Sequence, residues 1–178
     1  NIPYGVSAHA KDVTVNSEYA LEKVKTAKFI TICNKNAYDY LMKLTGESNV
    51  GKIVLSYHGV DVKKIEKSID STNSRKNTKP LILSIGRFVE KKGLLYLIEA
   101  SKILKERRLE HLVQIIGSGP MYENLKRHIE ELGVEDTVEI LGNNKGFSNK
   151  ETLTYLSMSD IYVFPSIQTD EGDVDGIA

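Results

Sequence analysis

Pro80-Leu81-Ile82-Leu83-Ser84-Ile85-Gly86-Arg87-Phe88-Val89-Glu90-Lys91-Lys92-Gly93 is the stretch whose reading decides the fold. Its apolar opening, Leu81 to Ile85, has the length and composition of a buried strand and stops at Gly86. Directly after Gly93 a helical period begins. Leu94, Leu97, Ile98, Ser101 and Leu104 share one face, and Glu99, Lys102, Lys105 and Glu106 are left for solvent. Strand, glycine, cation, polar loop, second cation and helix start together describe a place for a doubly charged phosphate group. Unpaired N–H groups at a helix start carry partial positive charge. Arg87 can grip two phosphate oxygens at once, and Lys92 acts as a point charge. The plainer alternative, that both cations are solvated loop charges, stands beside this reading.

Downstream, the pattern repeats. Leu112 to Ile116 reads as a second strand, Val138 to Leu141 as a third and Ile161 to Phe164 as a fourth. The intervening helices place Leu125, Ile129 and Leu132 inward, then Leu153 and Leu156. Pro120 suits the first position of one helix. Ser148-Asn149-Lys150-Glu151 reads as a capping box for another. Strands alternating with helices of this length predict an α/β fold with doubly wound, Rossmann-like parallel sheets.

Upstream, Tyr4 to Ala8 reads as a strand end and His9-Ala10-Lys11-Asp12 as a loop. Ser17 to Val24 is a weak helix. Phe29 to Cys33 and Lys52 to Tyr57 are strands. The helix between them carries Ala37, Leu41 and Leu44, with Asn34 or Asn36 as its cap and Gly46 as its stop. From Val62 to Lys79 the periodicity dissolves, so the spacing predicts a domain over 1–61, a linker over 62–79 and a second domain over 80–178.

In sheets of this kind ligands bind outside the carboxyl ends of the strands. That rule selects the loops at Gly86 to Gly93, Gly117 to Pro120, Gly142 to Gly146 and Ser166 onward, and upstream His9 and His58-Gly59-Val60-Asp61. Gly117-Ser118-Gly119-Pro120 fails as a dinucleotide fingerprint because the third glycine would fall on Tyr122. Its glycines fit either a tight turn or the close approach of a ligand or backbone. No serine-hydrolase elbow and no Walker-type phosphate loop is present. His9, His58, His111 and His128 lack metal-site spacing, and Cys33 is the sole cysteine. Asp170, Glu171, Asp173 and Asp175 crowd the last loop. They fit an exposed acidic loop, or carboxylates placed to accept hydrogen bonds from sugar hydroxyls.

Composition narrows the function. Lys and Arg number 24 against 24 Asp and Glu, so there is no basic excess for nucleic acid. At 40% hydrophobic and 27% charged, the chain is ordinary for a globular protein. One cysteine precludes an intrachain disulfide and fits a reduced, cytoplasmic setting. No apolar run reaches a membrane span. The abrupt ends, Asn1 without methionine and Ala178 just past a strand, read as cut.

Leu83-Ser84-Ile85-Gly86-Arg87 with Lys92-Gly93 and Leu95, Ile116-Gly117-Ser118-Gly119-Pro120, Val138 to Gly142, and Asp160-Ile161-Tyr162-Val163-Phe164-Pro165-Ser166 resemble the C-terminal domain of retaining GT-B glycosyltransferases of group 1. Ser7-Ala8-His9-Ala10-Lys11-Asp12 resembles the histidine loop of that family's N-terminal domain. His58-Gly59-Val60-Asp61 resembles its Asn-Gly-Val-Asp turn, with His58 in place of Asn. Asp175-Gly176-Ile177-Ala178 stands where the family has Glu-Gly-x-Pro, and the family's second glutamate falls beyond Ala178.

The resemblance implies a hexosyltransferase that moves a sugar from a nucleotide-diphosphate-sugar donor to a polysaccharide or glycolipid acceptor with retention. It implies no cofactor and no metal. Arg87 and Lys92 would hold the donor diphosphate, flanked by Gly86, Gly117, Gly119, Leu141 and Gly142. His9 would contact the donor sugar, and Asp175 would accept from its hydroxyls. The expected partners are that donor and a glycan or lipid-linked acceptor, with no nucleic acid. Peripheral association with the inner membrane face would come through regions outside this chain. By itself this segment is expected to be inert. A catalytically inactive nucleotide-sugar-binding module is the alternative, prompted by Asp175 and Ala178. A nicotinamide enzyme is a third reading, disfavoured by the broken fingerprint.

Overall fold

The structure, a computed structural model, describes residues 2–15, 17–46, 49–68, 79–142 and 146–170. The chain divides between Val60 and Asp61 into two compact units.

The first unit contains β1 (Gly5–Ala8), α1 (Ala10–Thr14), α2 (Ser17–Thr26), β2 (Phe29–Ile32), α3 (Lys35–Thr45) and β3 (Ile53–Leu55). Its sheet is parallel in the order β1-β2-β3, with Val6 beside Ile30 and Ile30 beside Ile53. Ile30, Ile32, Ala37, Leu41 and Val24 are buried together. Two sequence expectations change here. His9 to Asp12 is not a loop, because α1 starts at Ala10. The Asp12 carboxylate accepts from the His9 N–H at 2.8 Å, the backward half of a capping box, and that satisfies a donor the helix start would otherwise leave unpaired. Leu44, placed on the inner stripe of α3 by spacing, is 42% exposed, while Ala37 and Leu41 are buried. Asn34 is the cap of α3, accepting from Ala37 N–H at 2.8 Å.

The second unit runs α4 (Val62–Ser68), β4 (Leu81–Ile85), a 3₁₀ turn (Glu90–Lys92), α5 (Leu94–Glu106), β5 (Leu112–Ile116), α6 (Tyr122–Leu132), β6 (Val138–Leu141), α7 (Asn149–Met158) and β7 (Ile161–Tyr162). The short helix α4 corrects the reading of Val62 onward as patternless linker; a helix this short leaves little periodicity to detect. Residues 69–78 lie outside the described residues. The sheet is wholly parallel in the order β6-β5-β4-β7 and is flanked by helices, as expected of a doubly wound α/β fold. Its core joins Leu94, Leu97 and Ile98 of α5 to Leu125 and Ile129 of α6 and to Val113, Ile115 and Val138 of the sheet.

The strand order places the chain reversal between β4 and β7, since β5 and β6 were added on one side of β4 and β7 on the other. Crevices for ligands open outside the carboxyl ends of strands at such a reversal. Asp160 fixes the register there. Its carboxylate accepts from Leu81 N–H at 2.7 Å, and its own N–H donates to the Leu81 carbonyl at 3.0 Å.

Candidate functional site

The loop that follows β4 is pinned by the residue after Arg87. Phe88 is fully buried in the core cluster. Its N–H donates to the Ser118 carbonyl at 2.9 Å and its carbonyl accepts from Met121 N–H at 3.1 Å. Burying a phenylalanine side chain stabilises by about 1.5–3 kcal/mol. With its neighbour anchored inward, Arg87 stays exposed. It lines a cavity of about 200 Å³ with Gly86, Ile116, Gly117, Ser118 and Phe147.

Lys92 reaches the same edge from the other end of the loop. Its stem lies over Gly86, where an added Cβ would stand 3.4 Å from Lys92 Cε and 3.5 Å from Cδ. Its ammonium sits 4.5 Å from the centre of the Phe164 ring. The next residue, Gly93, has φ +61°, and an added Cβ would lie 2.0 Å from the Pro165 carbonyl oxygen. Ile167 N–H donates to the Lys91 carbonyl at 2.9 Å. The chain leaving β7 is therefore packed on the start of α5, and only glycine fits beneath it.

The remaining candidate residues gather beside Arg87. Gly86 N–H donates to the Ile116 carbonyl at 2.9 Å, and Gly117 N–H donates to the Leu141 carbonyl at 3.1 Å. An added Cβ at Gly117 would stand 1.9 Å from the Gly86 carbonyl oxygen, and one at Gly142 would stand 2.5 Å from the Gly117 carbonyl oxygen. Gly119 faces the backbone of Phe88. Both uses left open for the Gly117 and Gly119 pair are present: another backbone approaches each glycine closely, and the chain turns tightly from Gly119 into α6. Pro120 lies in a turn closed by Tyr122 N–H donating to the Gly119 carbonyl at 3.2 Å, and α6 begins only at Tyr122. Proline at the second position of such a turn needs no N–H, so the expected helix start moves two residues on. The capping box at Ser148 is present: Glu151 N–H donates to Ser148 Oγ at 3.3 Å and Ser148 N–H to Glu151 Oε2 at 2.8 Å.

Gly86, Arg87, Lys92, Gly117, Gly119, Leu141 and Gly142 thus share one edge of one sheet. His9 lies in the other unit, after β1. Asp175, with Glu171 and Asp173, lies outside the described residues. Phe164 and Phe147 also line this edge but were not among the expected site residues, since the sequence put Phe164 at the end of a strand and Phe147 just before a helix.

Residues 65–173 match the family model described as glycosyl transferases group 1. The chain belongs to that family. A relative from Escherichia coli K12, the putative colanic acid biosynthesis glycosyltransferase WcaL, is 34% identical over 127 residues, 71% of this chain and 30% of that protein. The amylovoran biosynthesis glycosyltransferase AmsK of Erwinia amylovora is 38% identical over 96 residues, 54% of this chain and 23% of that protein. This group 1 chain therefore spans less than a third of the length of these curated relatives.

Solved structures agree on the fold. TarM aligns with a TM-score of 0.65 at 16% identity, over 86% of this chain and 28% of that one. The pneumococcal O-GlcNAc transferase GtfA, in complex with UDP and GlcNAc, aligns with a TM-score of 0.62 at 18% identity, over 90% of this chain and 32% of that one. The incomplete GT-B architecture expected from the group 1 motifs is the one found. Among the described residues no helix is long and apolar enough to cross a membrane.

Proposed function

We propose that the second unit binds the nucleotide diphosphate of an activated sugar, as part of a glycosyltransferase that extends a surface polysaccharide or a glycolipid with retention. The observation that carries this reading is the placement of Arg87 and Lys92. Both belong to the loop after β4, Arg87 next to Gly86 in the chain and Lys92 with its stem over Gly86, at the reversal of strand order. A guanidinium and an ammonium there can neutralise a pyrophosphate as it leaves the sugar carbon. The chemistry on these residues is binding and charge stabilisation, for which side chains suffice, so the reading calls for no metal. The UDP held by the pneumococcal GtfA structure and the colanic acid and amylovoran assignments of the relatives support the donor and acceptor classes. His9 enters this reading through the resemblance alone.

Isothermal titration of the full-length protein with UDP and with GDP tests it. Each charge-assisted contact is worth about 1.5–3 kcal/mol, so Arg87→Ala and Lys92→Ala should each weaken binding by roughly ten- to a hundredfold. Unchanged affinity in the double variant would remove the site. Donor hydrolysis or transfer by the full-length protein then separates an enzyme from a binding module that has lost catalysis.

A further inference from the structure

We propose that His9, Cys33 and His58 form a binding site for a thiophilic transition-metal cation, with zinc as the candidate ion. All three belong to the first unit. His9 directly follows β1, Cys33 directly follows β2, and His58 comes three residues after β3. Because β1, β2 and β3 are parallel and adjacent in that order, residues leaving their carboxyl ends come out side by side. Sequence spacing gave no hint of this, since the positions are far apart along the chain.

One ligand atom from each residue lies within 4.8 Å of the other two. Cys33 Sγ is 3.6 Å from His9 Nδ1. Zinc bonds of about 2.0–2.1 Å to nitrogen and about 2.3 Å to sulfur, at a tetrahedral angle, separate those two atoms by about 3.5 Å. The His9–Cys33 pair therefore already stands at ligand spacing. The His58 ring is stacked on that of His9, with centroids 5.4 Å apart and planes at 25°. It is exposed, and one of its nitrogens already lies within 4.8 Å of the other two ligand atoms. The bond that the His9 N–H donates to the Asp12 carboxylate fixes the His9 backbone and so the direction in which that side chain leaves the chain.

The donor set narrows the ion. Two imidazoles and a thiolate suit zinc and copper, whereas magnesium and calcium require oxygen ligands. Three protein ligands leave a fourth position open. His9 and His58 are exposed and Cys33 is half-buried, so an ion has a way in. His58 is also the residue in which this chain departs from the Asn-Gly-Val-Asp turn, and that departure supplies the second imidazole.

Cobalt(II) is the spectroscopic stand-in. Full-length, tag-free protein, reduced and stripped with chelator, is titrated with cobalt(II) and then with zinc. The expected result is a thiolate-to-cobalt charge-transfer band with the intense visible bands of tetrahedral cobalt, saturating at one ion per chain and displaced by zinc. Cys33→Ser should abolish the charge-transfer band. His58→Ala should weaken zinc binding by at least about tenfold. Circular dichroism confirms that both variants are folded. Absence of the band in the parent protein, its persistence in folded Cys33→Ser, or parental zinc affinity in folded His58→Ala would each overturn the proposal. None of these readouts involves nucleotide binding or sugar transfer, so their failure leaves the donor site untouched.

Discussion

The Lys92 ammonium faces the Phe164 ring at 4.5 Å, joining the loop after β4 to the chain leaving β7. These two strands flank the reversal of strand order, so the contact spans the mouth of the crevice. A cation over an aromatic face at an exposed site is worth about 0.5–1 kcal/mol. Phe164→Leu keeps an apolar side chain but removes the ring. Nucleotide diphosphate affinity should fall by about two- to fivefold, with the melting temperature within a few degrees of the parent. Unchanged affinity in titration calorimetry would show that Phe164 does not hold Lys92 in place.

Gly93 and Gly133 offer a controlled pair. Both have φ near +60°, at +61° and +62°, but an added Cβ at Gly133 meets nothing within 4 Å, whereas at Gly93 it meets the Pro165 carbonyl oxygen at 2.0 Å. Gly133→Ala should cost about 1 kcal/mol for the left-handed backbone alone. Gly93→Ala should cost more than about 3 kcal/mol, because the chain leaving β7 must also move. Denaturant unfolding of the two variants measures the difference, and equal losses would contradict the packing described.

Ser101 sits on the apolar face of α5 yet is fully buried, with its hydroxyl 2.8 Å from His111 Nε2 and 3.1 Å from Thr137 Oγ1. His111 Nδ1 donates to the Leu109 carbonyl at 2.7 Å, which orients the ring. Ser101→Ala leaves His111 Nε2 without that partner inside the core. The expected cost is about 1–3 kcal/mol, read as a lowered melting temperature. A variant as stable as the parent would mean that the network contributes nothing net.

Lys105 donates to the Gly133 carbonyl at 2.8 Å and to Asp136 Oδ1 at 2.5 Å, tying α5 to the turn after α6. The hydrogen bond from Lys105 holds the Asp136 carboxyl below its ordinary range. A carboxyl lowered in the folded state contributes stability above its unfolded value, about pH 4, and that contribution is lost as pH falls through the folded value. The Asp136 carboxylate is largely solvated and Lys105 partly so, so screening keeps the contribution below about 1 kcal/mol. Asp136→Asn should therefore destabilise slightly at pH 7 and match the parent near pH 2. A larger gap at pH 2 than at pH 7 would reverse the assignment.

Much of the second unit was legible in the sequence because its signals are local. The run Leu81 to Ile85, the stripe from Leu94 to Ser101 and the Ser148 capping box each depend on side chains a few residues apart. The same holds for Arg87 and Lys92, which a strand and a helix deliver to one loop. Leu44 and the start of α6 were misplaced because exposure and turn geometry depend on what packs nearby. α1 was hidden because its capping bond, from the His9 N–H to the Asp12 carboxylate, reads in sequence as two polar residues in a loop.

By itself the sequence determined the alternation of strands and helices, hence a parallel α/β fold, and the loop on which both Arg87 and Lys92 lie. Periodicity and turn chemistry are short-range properties, written in neighbouring residues. Only the tertiary structure decided that β7 pairs with β4, that Phe164 meets Lys92, and that His9, Cys33 and His58 converge. Those relationships are set by strand order, which brings distant residues to one edge through hydrogen bonding and burial rather than through spacing along the chain.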